Sequence, residues 1–233
     1  VILVFIPVIN LLMIPVIWVE FIKRFNHNSK LDRVLVITTL GLYLFYVSYV
    51  SKRTKYVDNI SFSNFERSLG SLVFAVVIAT IVHNYILQPF VIPTGSLEKT
   101  LKVGDFLLVS KFHYGARIPS TVISFPMVHD TIPIFKTRSY LKKPQLPYIR
   151  IPGFQEIKNN DIVVFNWPAD TVRKFFVKEK GVMKPRDKKS NYVKRAIGIP
   201  GDSLEIKDGI VYLNGQENKL PERAKPLYTY KIF

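Results

Sequence analysis

The rhythm of apolar and polar positions changes near Gln88. Before it lie three long apolar runs, residues 1–19, 34–50 and 69–87. The first two carry no charge, and the third holds only His83 and Asn84 as strongly polar groups, both near its end. A bilayer core about 30 Å thick needs about 20 helical residues at 1.5 Å each, and each run is near that length. A charge at the centre of such a segment would cost roughly 2.5–3.5 kcal/mol, and none is present. Helices without a polar face are hard to bury in a soluble chain of 233 residues, so membrane spans are expected. Pro7 and Pro15 bend the first run or mark it as re-entrant. A secretory signal peptide fits this run poorly, because no basic stretch precedes it and further apolar runs follow.

Orientation is divided. The loop 51–68 carries Lys52, Arg53, Lys55 and Arg67, which favours the cytoplasm and sends the third run outward. The loop 23–33, with Lys23, Arg24, Lys30 and Arg33, is equally basic. Both loops cannot be inside if the second run spans fully.

After Gln88 the pattern shortens into segments rich in Val, Ile, Phe and Tyr, which predict strands at 106–110, 162–166, 192–197, 203–207 and 210–213. Asp208-Gly209 joins the last two as a hairpin turn, and Asn214-Gly215 supplies the next turn. Residues 117–152 are Pro-rich and irregular, a surface excursion or a lid. The expected organisation is a membrane region at 1–68, a transmembrane helix at 69–88 and a β-rich domain at 89–233. The fold class is thus N-terminal transmembrane helices followed by a mainly-β domain. The chain opens on Val1 inside apolar sequence and is read as a fragment.

Composition narrows the chemistry. With no cysteine, disulfides, thiolate catalysis and cysteine zinc sites are excluded. The net charge of +16 raises the question of nucleic acid. The basic residues are scattered, however, apart from loops beside apolar runs and a tract at 174–195. No zinc-finger or RNP-like pattern accompanies them. Basic charge beside apolar runs points instead to membrane lipid.

Two segments carry candidate chemistry. In VIPTGSLEKTLKVGDFLLVSKF, residues 91–112, Pro93 extends Ile92 and Gly95 permits a tight path. Ser96 then projects from a turn just beyond an apolar helix, as a nucleophile or as an ordinary turn serine. In NYVKRAIGIPGDSLEIKDGIVYLNG, residues 191–215, alternation puts Tyr192, Lys194 and Ala196 on one strand face. Lys194 is either solvated, like most lysines, or desolvated beside these apolar neighbours. A serine needs a base, and lysine at its ordinary pKa of about 10.4 is charged. Burial can lower that value by about 3–5 units, which would let the amine take a serine proton. Of the four histidines, His27 and His83 lie in or beside apolar runs, and His113 and His129 have Asp105 and Asp130 available for a Ser–His–Asp site, but no GxSxG elbow is present. There is no HExxH or paired-carboxylate metal motif either, and no cofactor is expected.

These segments together resemble the type I signal peptidase family. PTGSLEKTLKVGDFLLVSKF is similar to its nucleophile box, DIVVFNWP (161–168) to its central strand box, and KRAIGIPGD (194–202) to its lysine box. QPFVIP (88–93) resembles its membrane-exit segment, and the wording is most similar to Bacteroidetes-type versions. The resemblance implies an antiparallel β-rich catalytic domain of the signal peptidase/LexA-like type, with Ser96 attacking the scissile carbonyl and Lys194 as general base. It implies an oxyanion hole from the Ser96 N–H and the Thr94 hydroxyl, and shallow substrate pockets lined by Phe90, Val91, Ile92, Tyr192 and Val193. The implied substrates are exported preproteins, cleaved after small residues by a multi-pass enzyme of the bacterial inner membrane with its catalytic domain outside.

The match has departures. Leu97 stands where methionine is usual and Lys99-Thr100 replaces Pro-Thr. The last family box, which supplies a hydroxyl that orients the lysine, is not found before Phe233, so either the chain is truncated or another hydroxyl serves. The competing classes are a non-catalytic membrane-anchored β module for lipid or protein binding and a LexA-like self-cleaving Ser–Lys protein. A Ser96–Lys194 separation above about 8 Å would favour the module.

Overall fold

The computed structural model describes residues 2–52, 55–58, 60–169 and 183–227. Val1, Arg53 and the first part of the basic tract at 174–195 lie outside them. The chain divides into two compact units. Unit 1 comprises Val1–Ile81 and Pro119–Pro147, and unit 2 comprises Val82–Ile118 and Tyr148–Phe233.

Unit 1 begins with a short 3-10 turn and helices α1 (Asn10–Arg24), α2 (Lys30–Thr38) and α3 (Tyr43–Tyr49). Helix α2 starts where Ser29 and Asp32 cap each other reciprocally, with Asp32 N–H donating to Ser29 Oγ at 3.1 Å. It stops at Leu40-Gly41, both with positive φ (51° and 87°). Gly41 is doubly constrained, because a Cβ there would sit 2.9 Å from the Trp18 ring. The helices close on Ile22, Val36 and Val47, with Trp18, Phe25, Tyr43 and Leu44 packed around them.

This break corrects the expectation for the second apolar run. Residues 34–50 are divided between α2 and α3, and the seven residues of α3 rise only about 10 Å. The first run also starts late as a helix: α1 has 15 residues, about 22 Å, short of a bilayer core. The third run behaves as expected. Helix α4 (Asn64–Ile81) continues through a π-helical turn at Val82–Ile86. Asn64–Ile86 is the one helix among the described residues long and apolar enough to cross a membrane. Its Leu72 and Phe74 are 61% and 67% exposed, apolar surface that water does not favour.

An ion cluster around the buried Lys23 ties these helices together. Lys23, 5% exposed, donates to Glu66 Oε1 at 2.7 Å, and Arg33 reaches the same oxygen at 2.7 Å. The Ser63 N–H donates to Glu66 Oε2 at 2.8 Å. A buried charge is tolerated when it is paired and hydrogen-bonded like this. Residues 119–147 form an irregular ribbon within the same unit, pinned by bridges Thr121–Gln145, Ser124–Tyr140 and Thr131–Arg138. Val8 N–H donates to Val122 O at 3.3 Å. The Pro-rich segment was expected inside the β domain. Its middle clusters with unit 1, while its ends at Arg117 and Arg150 pair within unit 2.

Unit 2 is a set of small antiparallel sheets. Strand β1 (Leu87–Val91) follows the last helical turn directly and pairs with β2 (Phe106–Ser110). β3 (Ile162–Asn166) pairs with β4 (Asn191–Arg195), setting Val163 opposite Lys194. β5 (Leu204–Lys207), β6 (Ile210–Leu213) and β7 (Gln216–Glu217) form a meander. Both of its turns have consecutive positive φ, at Asp208-Gly209 (47°, 80°) and Asn214-Gly215 (52°, 80°). That geometry matches the twist of flanking strands, which is why these dipeptides signal hairpins.

Glu66→Gln leaves Lys23 buried without a carboxylate. Melting of the detergent-solubilised chain, followed by far-ultraviolet circular dichroism, is expected to show a loss of about 3–5 kcal/mol. An unchanged melting temperature would show that the pairing carries no weight.

Candidate active site

Ser96 belongs to a loop closed at its neck by the β1–β2 hairpin. Ile92 N–H donates to Asp105 O at 3.0 Å, and Gly104 N–H returns to Ile92 O at 2.9 Å. Within the loop, Leu101 N–H donates to Leu97 O at 2.8 Å and Asp105 accepts from Lys102 N–H at 2.8 Å. Ile92 and Leu97, 3% and 9% exposed, are buried and anchor the loop between them. Leu97 therefore serves as an apolar plug in the position where methionine is usual. Gly95, Ser96 and Thr94 remain at the surface, with Ser96 and Thr94 exposed.

Lys194 arrives from β4. Its Nζ donates to Ser96 Oγ at 2.6 Å, across 98 residues of sequence. Lys194 as a whole is half-buried. Alternation puts Tyr192 on the same strand face, where its ring stacks on Trp167 at 4.7 Å and lies 6.4 Å from Phe165. Val163 faces Lys194 across the strand pair. Apolar and aromatic residues thus neighbour Lys194 along and across the strand pair.

The opposite face of β4 holds the loop in place. Arg195 Nη2 donates to Thr100 Oγ1 at 3.0 Å and its Nη1 to Asn160 O at 2.7 Å. Thr100 Oγ1 in turn donates to the Arg223 carbonyl. Lys194 and Arg195 thus divide the work. One touches the hydroxyl, and the other fastens the loop that carries it. Strand alternation sets Arg195 on the face opposite Lys194, but its tie to Thr100 leaves no mark in the sequence.

Asp202 organises the turn after β4. It accepts from Ile199 N–H at 2.9 Å, Asn159 Nδ2 at 2.7 Å and Asn214 Nδ2 at 2.9 Å. These donors, the Ile199 amide first, hold its carboxyl below the ordinary carboxylate range. Asp161, at the head of β3, accepts from Lys158 N–H and Tyr114 Oη at 2.9 Å each and is lowered in the same way.

Of the other expected positions, Phe90, Tyr192 and Val193 are half-buried, Val91 is 51% exposed and Ile92 is buried. The histidines give partial constellations. His113 Nδ1 contacts Ser110 Oγ. His27 Nε2 lies 2.7 Å from Ser51 Oγ, but its Nδ1 is 3.6 Å from Asp32, beyond hydrogen-bond range. The Tyr43 hydroxyl already donates to that Asp32 oxygen at 2.6 Å. Among the described residues there is no grouping of His, Cys, Asp and Glu suited to a metal.

A serine hydroxyl against a lysine amine, in a mainly-β unit that follows a long apolar helix, has the composition of a Ser–Lys hydrolase site. The chain matches the family described as "Signal peptidase, peptidase S26" over residues 66–230, and it belongs to that family. Residues 1–59 match a second family, "Family of unknown function (DUF5684)". Similar curated proteins include the "Signal peptidase I" of Rickettsia massiliae (strain Mtu5), 31% identical over 148 residues, which are 64% of this chain and 42% of that protein. The "Signal peptidase I" of Rickettsia prowazekii (strain Madrid E) is 30% identical over 161 residues, 69% of this chain and 48% of that protein. The chain spans less than half the length of these relatives. They give no support to the Bacteroidetes likeness. No solved structure matches the chain.

The depressed Asp202 carboxyl has a pH signature. Its folded pKa lies below the ordinary value of about 3.9, so it contributes stability above that pH and loses it as pH falls through the folded value. Asp202→Asn is expected to lower the melting temperature at neutral pH, with the gap closing below about pH 4. A gap that stays constant from neutral to acid pH would contradict this.

Proposed function

We propose that this chain is the catalytic part of a membrane-bound serine endopeptidase that removes signal peptides from exported preproteins, cleaving after small residues. The observation that carries the proposal is the 2.6 Å approach of Lys194 Nζ to Ser96 Oγ. That distance favours an enzyme over a non-catalytic β module. The apolar helix Asn64–Ile86 favours a membrane peptidase over a LexA-like self-cleaving regulator.

In the proposed mechanism the free amine of Lys194 takes the Ser96 proton as Oγ attacks the scissile carbonyl carbon. The negative charge that develops on the carbonyl oxygen is met by the Ser96 backbone N–H and the Thr94 hydroxyl. Collapse of the tetrahedral intermediate breaks the C–N bond, and Lys194 returns the proton to the leaving amine. Water activated by the same amine then hydrolyses the Ser96 ester. The substrate lies extended and adds its backbone to the enzyme's strands. Phe90, Val91, Tyr192 and Val193 border the small-residue pockets, and buried Ile92 supports them from beneath.

The broken second run also bears on topology. With residues 34–50 divided between two short helices, the basic loops at 23–33 and 51–68 need not face opposite sides. Both then fit the cytoplasmic side, and Asn64–Ile86 carries unit 2 to the extracytoplasmic face of the bacterial inner membrane. Further crossings by α1–α3 are not needed for this arrangement.

Ser96→Ala and Lys194→Ala are each expected to abolish cleavage of a preprotein with Ala at minus one and minus three. Lys194→Arg should fail as well, because guanidinium does not give up its proton. Full activity of any of these purified variants sinks the mechanism. Thr100→Val, which removes the tie to Arg195, is expected to lower kcat about tenfold with KM little changed, a loss of roughly 1–2 kcal/mol. A change confined to KM would show that the tie serves substrate binding instead.

A further inference from the structure

A cluster of cations in unit 2 has no part in the peptidase chemistry. Arg117 and Arg150 face each other across an antiparallel bridge, closed on either side by Ile118 N–H to Ile149 O at 3.0 Å and Ile151 N–H to Ala116 O at 2.8 Å. Like charges directly opposed on neighbouring strands destabilise the pairing. Arg186 joins them, its guanidinium 4.7 Å over the ring of Tyr148. Half-buried Lys111 adds a further positive charge within the field of Arg117. Burial, with Arg117 second, pulls its amine down to about 8. Arg117 donates to Asn166 Oδ1, a neutral partner, and the acid that bears on it is Asp187. Among the described residues, Asp187 is thus the one carboxylate that bears on Arg117, against the like charges of Arg150 and Arg186.

The place of this cluster in the chain indicates a source of balancing negative charge. Lys111 N–H donates to Ile86 O at 2.9 Å, and Ile86 is the last residue of the long apolar helix. Lys111 and Lys188 also bear electrostatically on His83, in the last helical turn. Lys111, within the field of Arg117, is therefore fastened to the end of the apolar helix, where a span would leave the hydrocarbon and meet lipid phosphate.

We propose that Lys111, Arg117, Arg150 and Arg186 form a binding site for the phosphate of an anionic membrane lipid at the exit of the Asn64–Ile86 helix. Three guanidinium forks and an amine supply donors for the phosphate oxygens, and the like-charge repulsion within the cluster is relieved when the anion binds. The site deepens the membrane reading of that helix and does not depend on Ser96 or Lys194.

The test uses the full chain in detergent, titrated with short-chain phosphatidylglycerol, short-chain phosphatidylcholine and inorganic phosphate, with thermal stabilisation as readout. Phosphatidylglycerol is expected to stabilise the protein at lower concentration than either other probe. Lys111→Gln and Arg150→Gln should each raise its half-saturating concentration about fivefold, the weight of one basic residue near a lipid surface. Lys111→Arg should restore it, and Lys142→Gln, at an exposed lysine in unit 1, should leave it unchanged. Arg150 is exposed, so its variant carries the test if Lys111→Gln does not fold. Equal binding by Arg150→Gln and Lys142→Gln would overturn the proposal, and so would phosphatidylcholine or free phosphate matching phosphatidylglycerol. Because the readout is stability, Ser96→Ala should behave as the parent. Failure of the peptidase reading therefore remains separate from failure of this one.

Discussion

The contact of Lys194 with Ser96 joins two strand pairs that share no sheet, and the proposed chemistry depends on it. Ser96 hangs from the β1–β2 loop, and Lys194 projects from β4, which pairs only with β3 among the described strands. No ladder of backbone hydrogen bonds fixes the distance between them. The fastening is made by side chains: Arg195 reaches Thr100 and the Asn160 carbonyl, and Thr100 reaches the Arg223 carbonyl. Adjacent residues on one strand point to opposite faces. The Lys-Arg pair therefore delivers an amine to the Ser96 hydroxyl from one side and a guanidinium to Thr100 and Asn160 from the other.

Much of this was legible in the sequence. Strands β2, β3 and β6 fall at their expected boundaries because each is a short apolar run bounded by turn residues. The meander was readable because Asp-Gly and Asn-Gly are among the few dipeptides that accept two consecutive left-handed residues. Ser96 and Lys194 stood out through their motifs, and their proximity agrees with that pairing. Strand β1 was hidden for a physical reason. Leu87–Val91 continues an apolar helix without a polar interruption, and Pro89 removes a backbone donor, which argues against a strand. It is tolerated here on a strand whose only described partner is β2.

The break in the second run escaped notice because hydropathy does not report backbone handedness. Leu40-Gly41 is as apolar as its surroundings, yet both residues take positive φ and turn the chain against Trp18. The fate of the basic loop at 23–33 was equally hidden. Lys23 and Arg33 looked like topology signals but spend their charge on Glu66, 43 residues from Lys23. Long-range ion pairs leave no mark in local composition. For the same reason, the association of the ribbon 119–147 with the helical unit could not be foreseen.

The direct passage from the helical turn Val82–Ile86 into Leu87–Val91, with no intervening loop, leaves the chain no slack at that joint. Five extended residues reach about 17 Å, so the loop that carries Ser96 hangs from the end of that turn on a short, stiff arm. Such an arm works as a plumb line, and its length sets how far Ser96 can stand from the end of the helix.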